Sequence, residues 1–195
     1  MKVAVVKYNA GNVQSVIYAL QRLGVEPLHT DDHQEIRSAD KVIFPGQGEA
    51  KSAMSYLQAK GLDKVLTSLH QPFLGICIGL QLMCRYSEEG NTGCLGIFDL
   101  QVRKFQGEKG KYKVPHMGWN GLRTNGNPLF SGLTTPYLYY VHSYYAELGP
   151  DTIGTTDYIV PFSGALHKDN YYAVQAHPEK SSEAGQTILA NFLKI

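Results

Sequence analysis

Short apolar runs alternate with helical patterns through the first half of the chain. Val3–Val6 is apolar throughout, which is typical of a strand covered on both faces of a sheet. The apolar residues that follow recur at helical spacing up to Gly24, a residue suited to end a helix. The pattern predicts strands over Val3–Val6, 25–29, 42–44 and Phe73–Ile76, and helices over 13–23 and 54–69. Asp31 or Asp32 is placed to cap a short helix between the second and third strands.

The second half of the chain has a different pattern, rich in tyrosine, glycine, proline and β-branched residues. It predicts strands over 100–105, 137–145 and 171–176, and a closing helix over 183–193 with Ser181 or Ser182 as its cap. Strands that alternate with helices favour a parallel sheet. We therefore expect one α/β domain over residues 1–195: a doubly wound, mostly parallel central sheet with helices on both faces and an antiparallel β extension.

The composition is that of an ordinary globular protein. Of 195 residues, 43% are hydrophobic and 18% are charged, and the formal net charge is +1. So small a charge gives no reason to expect nucleic acid or an anionic membrane as a partner. We expect no membrane span, because no apolar stretch is long enough, and no signal peptide, because the first strand begins almost at Met1.

The chain has three cysteines, Cys77, Cys84 and Cys94. Their number and spacing form neither a disulfide framework nor a recognised metal motif, so we expect no bound metal and no cofactor. Cys84 is expected to pack in the core. A working thiol fits a reducing compartment, and the sequence therefore predicts a cytoplasmic protein.

Cys77 is the residue that says most about chemistry. It lies between an apolar strand pattern and a helix pattern, within a Gly-x-Cys-x-Gly turn. This is the nucleophile-elbow arrangement with a thiol in place of a hydroxyl, and its glycines give the crowded turn room. At the head of a helix, the dipole and the free backbone N–H groups favour a thiolate. Taken alone, the segment is also explained by a buried structural cysteine.

A second segment offers partners for this thiol. His177 and Glu179 are two residues apart, so in an extended segment their side chains project to the same side. A carboxylate fixes the tautomer of an imidazole, which can then activate a thiol. An ordinary His-Pro turn beside a solvated glutamate explains this segment equally well on its own. Together, Cys77, His177 and Glu179 predict acyl transfer through a thioester.

Thioester chemistry needs N–H donors for the oxyanion that forms during attack. The elbow geometry assigns one donor to the amide of Ile78, which follows the nucleophile. The glycine-flanked loop 45–48 either supplies a second donor or is merely a turn. Gln81 lies one helical turn beyond Cys77, where its amide can reach a bound substrate, although a lone glutamine is more often a surface or capping residue.

These motifs resemble those of the class I, or triad, glutamine amidotransferases. The resemblance rests on GICIGLQ over 75–81 and HPEKS over 177–181, and it extends over essentially the whole chain. Three more segments, NAGN over 9–12, PHMGWN over 115–120 and YVHSY over 140–144, are similar to those of glutaminase subunits of imidazole glycerol phosphate synthase, in histidine biosynthesis. The resemblance implies release of ammonia from glutamine through a γ-glutamyl thioester. It also implies a heterodimer with a (β/α)8-barrel cyclase subunit that receives the ammonia.

The resemblance also implies roles for individual residues. Cys77 would be the nucleophile, His177 the general base and acid, and Glu179 its orienting carboxylate. The amides of Gln47 and Ile78 would form the oxyanion hole, with the Gln47 peptide turning toward the site when the partner is engaged. Residues that bind glutamine would be Gly46, Gly48, Gln81, Ser143 and Tyr144. Residues at the partner interface or channel would be Ala10, Asn12, Trp119, Asn120, Tyr139 and Lys180. For the interface residues, core packing or solvated surface is the alternative.

The chain departs from the family pattern at three positions: Gln47 stands where valine is expected, Ala176 replaces a bulky phenylalanine, and Lys7 replaces an acidic or small residue. Because a main-chain donor does not depend on its side chain, Gln47 is expected to alter the unstimulated rate and not to abolish activity. Two other hypotheses stay open. One is another thiol hydrolase of this fold, either a γ-glutamyl hydrolase or the glutaminase of pyridoxal phosphate synthesis. The other is a non-catalytic relative that only docks to a partner.

Overall fold

The computed structural model describes residues 1–9, 13–46, 48–108 and 110–195. The strands are β1 (Val3–Val6), β2 (Leu28–Thr30), β3 (Lys41–Phe44), β4 (Phe73–Ile76), β5 (Cys84–Ser87), β6 (Thr92–Gly93), β7 (Phe98–Lys104), β8 (His116–Gly121), β9 (Arg123–Thr124), β10 (Tyr137–His142), β11 (Tyr144–Ala146), β12 (Thr152–Tyr158), β13 (Val160–Lys168) and β14 (Tyr171–Val174). The helices are α1 (Gln14–Arg22), α2 (His33–Arg37), α3 (Ala50–Ala59), α4 (Leu62–Leu66), α5 (Ile78–Met83) and α6 (Ser182–Lys194), with 3-10 turns at Pro128–Phe130 and Pro178–Lys180.

The central sheet has eight strands in the order β2-β1-β3-β4-β14-β13-β12-β9. The first five of these run parallel, and the last three extend the sheet with antiparallel pairings. In the middle of the sheet, Ile76 at the end of β4 pairs with Val174 at the end of β14. The segments that leave these two strands therefore emerge side by side at the carboxyl edge, where open α/β sheets bind their ligands.

Helices cover both faces of the sheet, as the alternation of side chains along β1 shows. Val3 and Val5 belong to the core cluster that includes residues of α1 and α6. Ala4 and Val6 belong to the opposite cluster, which includes residues of α2, α3, α4 and α5. Because both faces are buried, the inner strands contain continuous apolar runs, as expected for a doubly wound sheet.

Two smaller sheets lie beside the central one. β8 and β10 form an antiparallel pair in which Trp119 lies opposite Tyr139 and His116 lies opposite His142. The other sheet has the order β11-β7-β5-β6. β10 and β11 are nearly consecutive in sequence but belong to different sheets, and only Ser143 separates them. Ser143 therefore lies at the junction between the two sheets.

Several predicted elements are confirmed. β1 and β4 have the predicted bounds, Gly24 has a φ of 78° after the end of α1, and Cys84 is fully buried. Asp32 caps α2, since its side-chain oxygen accepts hydrogen bonds from two backbone N–H groups. The predicted fold class agrees with the observed sheet order and its two helical layers.

Other bounds are wrong for identifiable reasons. The strand predicted over 25–29 is Leu28–Thr30, because the Val25 N–H bonds to the carbonyl of Leu20 at the helix end and Pro27 has no N–H. The helix predicted over 54–69 is two helices, α3 and α4, interrupted at Gly61 with a φ of 65°. The strand predicted over 137–145 divides at Ser143, and the long β12–β13 hairpin is not predicted at all.

Within the described parts of the chain, no helix combines the length and the apolar character that crossing a membrane would need.

Candidate active site

Cys77 occupies a tight turn between β4 and α5. Its φ of 53° and ψ of −108° are rare for a residue with a side chain. Both flanking glycines allow close packing of backbone: a Cβ on Gly79 would lie 2.2 Å from the carbonyl oxygen of Phe44, and one on Gly75 would lie 3.0 Å from the carbonyl carbon of Gly79. The predicted need for small residues around the turn is thus confirmed. The turn holds Cys77, which is 7% exposed, at the wall of a cavity.

The cavity has a volume of about 340 Å³ and contains many of the predicted residues. Those that line it are Gly46, Gly48, Cys77, Ile78, Gln81, Ser143, Tyr144 and His177. Glu179 is not among the lining residues; it is hydrogen-bonded to His177, which is. Of the predicted oxyanion donors, Ile78 begins α5 beside the nucleophile, whereas Gln47 lies outside the described residues.

His177 and Glu179 form a buried hydrogen-bonded pair. Nδ1 of the imidazole lies 2.7 Å from Oε1 of the carboxylate, and the two side chains are 1% and 4% exposed. Glu179 belongs to the 3-10 turn Pro178–Lys180, which folds it back toward His177. A carboxylate accepts the Nδ1 proton, so the other ring nitrogen, Nε2, is left for chemistry. That nitrogen is buried and has no hydrogen-bond partner among the residues that the structure describes.

The charge state of His177 is set by opposing effects. Burial disfavours the imidazolium, but the neighbouring Cys77 sulfur and the carboxylate of Glu179 outweigh burial and raise the pKa of His177 to about 10. His177 is therefore positively charged at neutral pH. A cationic imidazole beside a cysteine favours the thiolate, which is the reactive form of the side chain.

Two glutamines beside Cys77 are connected to each other. The Nε2 group of Gln81 donates to the carbonyl oxygen of Tyr144 at 2.9 Å and to Oε1 of Gln175 at 3.0 Å. Nε2 of Gln175 lies 3.6 Å from Cys77 Sγ. Gln81, predicted as a substrate-binding residue, thus lines the cavity with its amide nitrogen engaged inside the protein. Gln175 was not predicted, because its contact depends on β14 lying next to β4.

Glu89 is a second residue that the sequence reasoning missed. It lines the cavity, is half-buried, and accepts a hydrogen bond of 2.8 Å from the backbone N–H of Ala50 through Oε2. Burial raises the pKa of its carboxyl, and nearby Glu49 acts in the same direction, against the hydrogen bond from Ala50. Glu89 belongs to none of the motifs in the sequence analysis. The only feature of the sequence that could have indicated it is its acidic side chain, shortly after the helix that follows Cys77.

Two buried histidines lie beside Cys77 and His177: His142 lines the cavity, and His116 contacts His142 from behind. Burial lowers their pKa values to about 4 and about 3, so both rings are neutral at physiological pH. His142 Nδ1 donates to the carbonyl oxygen of Tyr144 at 2.7 Å, and its Nε2 accepts from His116 Nδ1 at 3.0 Å. No group of three or more histidine, cysteine or carboxylate side chains in the described ranges is arranged to hold a metal ion.

The predicted interface residues have different surroundings. Trp119 is 44% exposed and stacks on the exposed Tyr137, and it also contacts the half-buried ring of Tyr139. Asn120 donates its amide to the carbonyl of Asp157 at 2.9 Å, inside this chain. Lys180 is half-buried in the 3-10 turn that contains Glu179. Ala10 and Asn12 lie outside the described residues.

Ala176, one of the three departures from the family pattern, is fully buried.

Comparison with known proteins adds a family to this geometry. The family model for class-I glutamine amidotransferases matches residues 4–195. Imidazole glycerol phosphate synthase subunit HisH of Bacteroides fragilis is 57% identical over the full length of both chains. Subunit HisH of Neisseria meningitidis is 44% identical over 99% of both chains, and subunit HisH 2 of Campylobacter jejuni is 41% identical over 100% of this chain and 98% of its own.

Solved structures are similar in fold at much lower sequence identity. A glutamine amidotransferase structure has a TM-score of 0.75 at 16% identity, with 98% of this chain and 97% of that chain covered. The glutaminase domain of Trypanosoma brucei CTPS has a TM-score of 0.62 at 14% identity, with 100% and 94% covered. These likenesses confirm the predicted fold class.

Proposed function

The chain belongs to the class-I glutamine amidotransferase family, and on that premise we propose that it is the glutaminase subunit of imidazole glycerol phosphate synthase. It hydrolyses glutamine to glutamate and ammonia, and passes the ammonia to a (β/α)8-barrel cyclase subunit in histidine biosynthesis. The observation that supports this most is that Cys77 and His177 line one cavity, with Glu179 hydrogen-bonded to His177, in a chain 57% identical to a HisH subunit. The free thiol of Cys77 suits a reducing compartment, so we propose that the reaction takes place in the cytoplasm.

Substrate binding follows from the charges that line the cavity. Free glutamine has an ammonium and a carboxylate group on its α-carbon. The half-buried carboxylate of Glu89 offers the ammonium an opposite charge, and that charge would offset the burial that raises the pKa of Glu89. Ser143 and Tyr144 line the same cavity and offer polar groups to the substrate. The side-chain amide of the substrate would then extend toward Cys77.

In the first half-reaction, the thiolate of Cys77 attacks the carbonyl carbon of the side-chain amide. The electron pair of the C=O bond moves to oxygen, and in this proposal the N–H of Ile78 and the Gln47 amide donate to that oxyanion. The C–N bond then breaks as Nε2 of the His177 imidazolium gives its proton to the leaving nitrogen. Ammonia leaves, His177 becomes neutral, and a γ-glutamyl thioester remains on Cys77.

In the second half-reaction, His177 acts as a base. Its neutral Nε2 takes a proton from water, and the resulting hydroxide adds to the thioester carbon. Collapse of the tetrahedral intermediate breaks the C–S bond and releases glutamate, which restores the thiolate and the imidazolium together. Glu179 does not carry a proton in either step; it holds the Nδ1 proton and stabilises the charged ring.

The test is glutamate release from glutamine, measured with this chain alone and then with the cyclase subunit and its nucleotide ligand. We expect little activity alone and a large rise in the complex. Cys77→Ser should abolish turnover while leaving the complex intact. Cys94→Ser, which changes a half-buried thiol outside the cavity, should leave turnover unchanged. Brisk turnover without a partner would indicate a stand-alone hydrolase. Unchanged low turnover in the complex would contradict the assigned partner.

A further inference from the structure

Gln175 lies where a sheet strand ends against the nucleophile. It directly follows β14, is fully buried, and its backbone N–H donates to the carbonyl of Gly164 at 2.9 Å. Its side-chain Nε2 is 3.6 Å from Cys77 Sγ. A buried amide must place its donors and acceptors on specific partners, because an unpaired polar group inside the protein is costly.

The orientation of this amide follows from its neighbours. The carbonyl oxygen of Tyr144 can only accept, so the group of Gln81 that lies 2.9 Å from it must be the NH₂. The same nitrogen is 3.0 Å from Gln175, which must therefore present its oxygen there. It follows that the NH₂ of Gln175 is directed at Cys77. In the reversed orientation two NH₂ groups would meet, and a carbonyl oxygen would face the sulfur.

The partners of Cys77 divide between its two protonation states. The carbonyl oxygen of Val141, 3.9 Å from Sγ, can interact only with the S–H of the neutral thiol. The N–H of Gln175 can serve only the lone pairs of sulfur, and a hydrogen bond to a charged acceptor is stronger than one to a neutral acceptor. Gln175 therefore favours the thiolate, and Val141 favours the thiol.

We propose that Gln175 is a further catalytic residue, whose side-chain N–H stabilises the Cys77 thiolate and fixes the position of its sulfur for attack. The assignment rests on the proposed function only in taking Cys77 as the nucleophile. Gln81 acts as a positioning residue, because it binds the oxygen of Gln175 and so keeps the NH₂ on the sulfur. His177 supplies charge, and Gln175 supplies a directed donor.

The test is the rate of iodoacetamide alkylation of Cys77 across pH, followed by mass spectrometry of the full chain. In Gln175→Met, which keeps a long side chain and removes the donor, we expect the rate profile to move up by about one pH unit. The plateau should rise by about threefold, because a more basic thiolate is intrinsically more nucleophilic. A merely structural disturbance would not raise both the limiting alkylation rate at high pH and the pH at which the rate profile has its midpoint. Superimposable profiles would overturn the proposal.

The matched control is Gln71→Met, which removes the same amide from another part of the chain. Gln71 donates to the carbonyl of Ile36 at 2.9 Å and does not line the cavity. Its alkylation profile should coincide with that of the unchanged protein. The proposed nucleophile itself is tested by the unchanged protein: if Cys77 is not alkylated in preference to Cys84 and Cys94, the proposed function fails, independently of Gln175.

A second measurement needs no substitution at Gln175, in case that variant does not fold. The side-chain amide resonances of Gln175 can be followed by NMR through the same pH range in the unchanged protein and in Cys77→Ala. We expect them to shift with the midpoint of Cys77 alkylation, and not to show that transition in Cys77→Ala. Resonances that ignore the ionisation of Cys77 would show that no such hydrogen bond exists.

Discussion

The backbone N–H of His177 donates a 2.9 Å hydrogen bond to the backbone carbonyl of Tyr139, so β10 is attached directly to the proposed catalytic base. Ser181 reinforces the attachment: its Oγ accepts from the N–H of Tyr139 at 2.9 Å and donates to the carbonyl of His177 at 2.6 Å. The ring of Tyr139 contacts Trp119 on the neighbouring strand. A displacement of the β8–β10 sheet would therefore change the position of the His177 backbone.

Ser181→Ala should loosen this attachment. The change removes the partner of the Tyr139 N–H and one of the two donors to the His177 carbonyl oxygen, so we expect the free energy of unfolding to fall by about 1–3 kcal/mol. Glutamine turnover in the complex should fall by roughly tenfold, since a small displacement of a catalytic group has large effects on rate. Urea unfolding and steady-state kinetics would measure both. Ser55→Ala, on an exposed face of α3, is the control that should change neither. Equal behaviour of the two variants would contradict the role given to Ser181.

Glu179→Gln should lower kcat while leaving KM for glutamine nearly unchanged. The amide can still hydrogen-bond to Nδ1, but it no longer carries the charge that stabilises the imidazolium or requires a proton on that nitrogen. We expect a loss of roughly 10²-fold, smaller than that of His177→Ala, because proton transfer by a positioned residue contributes about 10²–10⁴-fold. Stopped assays of glutamate release would measure it. A loss as large as that of His177→Ala would mean that Glu179 does more than orient the ring.

The histidines should titrate at opposite ends of the pH scale. NMR of the imidazole C–H groups should show His177 charged at pH 7 with a pKa of about 10, and His116 and His142 neutral with pKa values of about 4 and about 3. Because the pKa of His177 is raised, its contribution to stability is complete below about pH 6.5 and is lost as the pH rises through about 10.

The lowered pKa values of His116 and His142 have the opposite effect on the pH dependence of stability. His116 and His142 contribute stability above about pH 6.5, and this contribution is lost as the pH falls through about 4 and then about 3. Cys77→Ala should lower the pKa of His177, since Cys77 is what raises it most, and leave that of His116 in place. An unmoved His177 resonance in that variant would contradict the proposed ion pair.

Trp119→Ala should weaken the complex with the cyclase subunit. An exposed indole stacked on an exposed tyrosine contributes little to the isolated fold but is typical of the residues that dominate interfaces. We expect a loss of about 2 kcal/mol or more in binding, measured by calorimetry. Leu148→Ala, at an exposed apolar residue outside the β8–β10 sheet, is the control. Unchanged binding in both variants would place Trp119 outside the interface.

What the sequence predicted well depends on neighbours along the chain. The strand before Cys77, the glycines around it and the spacing of His177 and Glu179 are local patterns, and the structure contains all three. The break at Ser143 was missed because the strand propensity of the segment is uninterrupted, and only pairing with β8 and β7 divides it. Gln175 and Glu89 were missed for a related reason: each has its place at the site only through contacts with residues distant in sequence.

The turn at Cys77 has a consequence for how this protein can change. A side chain held at a φ of 53° and a ψ of −108° strains the backbone by about 1–3 kcal/mol, a strain that glycine would not feel. Cys77→Gly should therefore yield a protein that is harder to unfold and has no reactive sulfur. Screening for thermal tolerance alone would favour such inactive descendants. Only a requirement for chemistry keeps the less stable form.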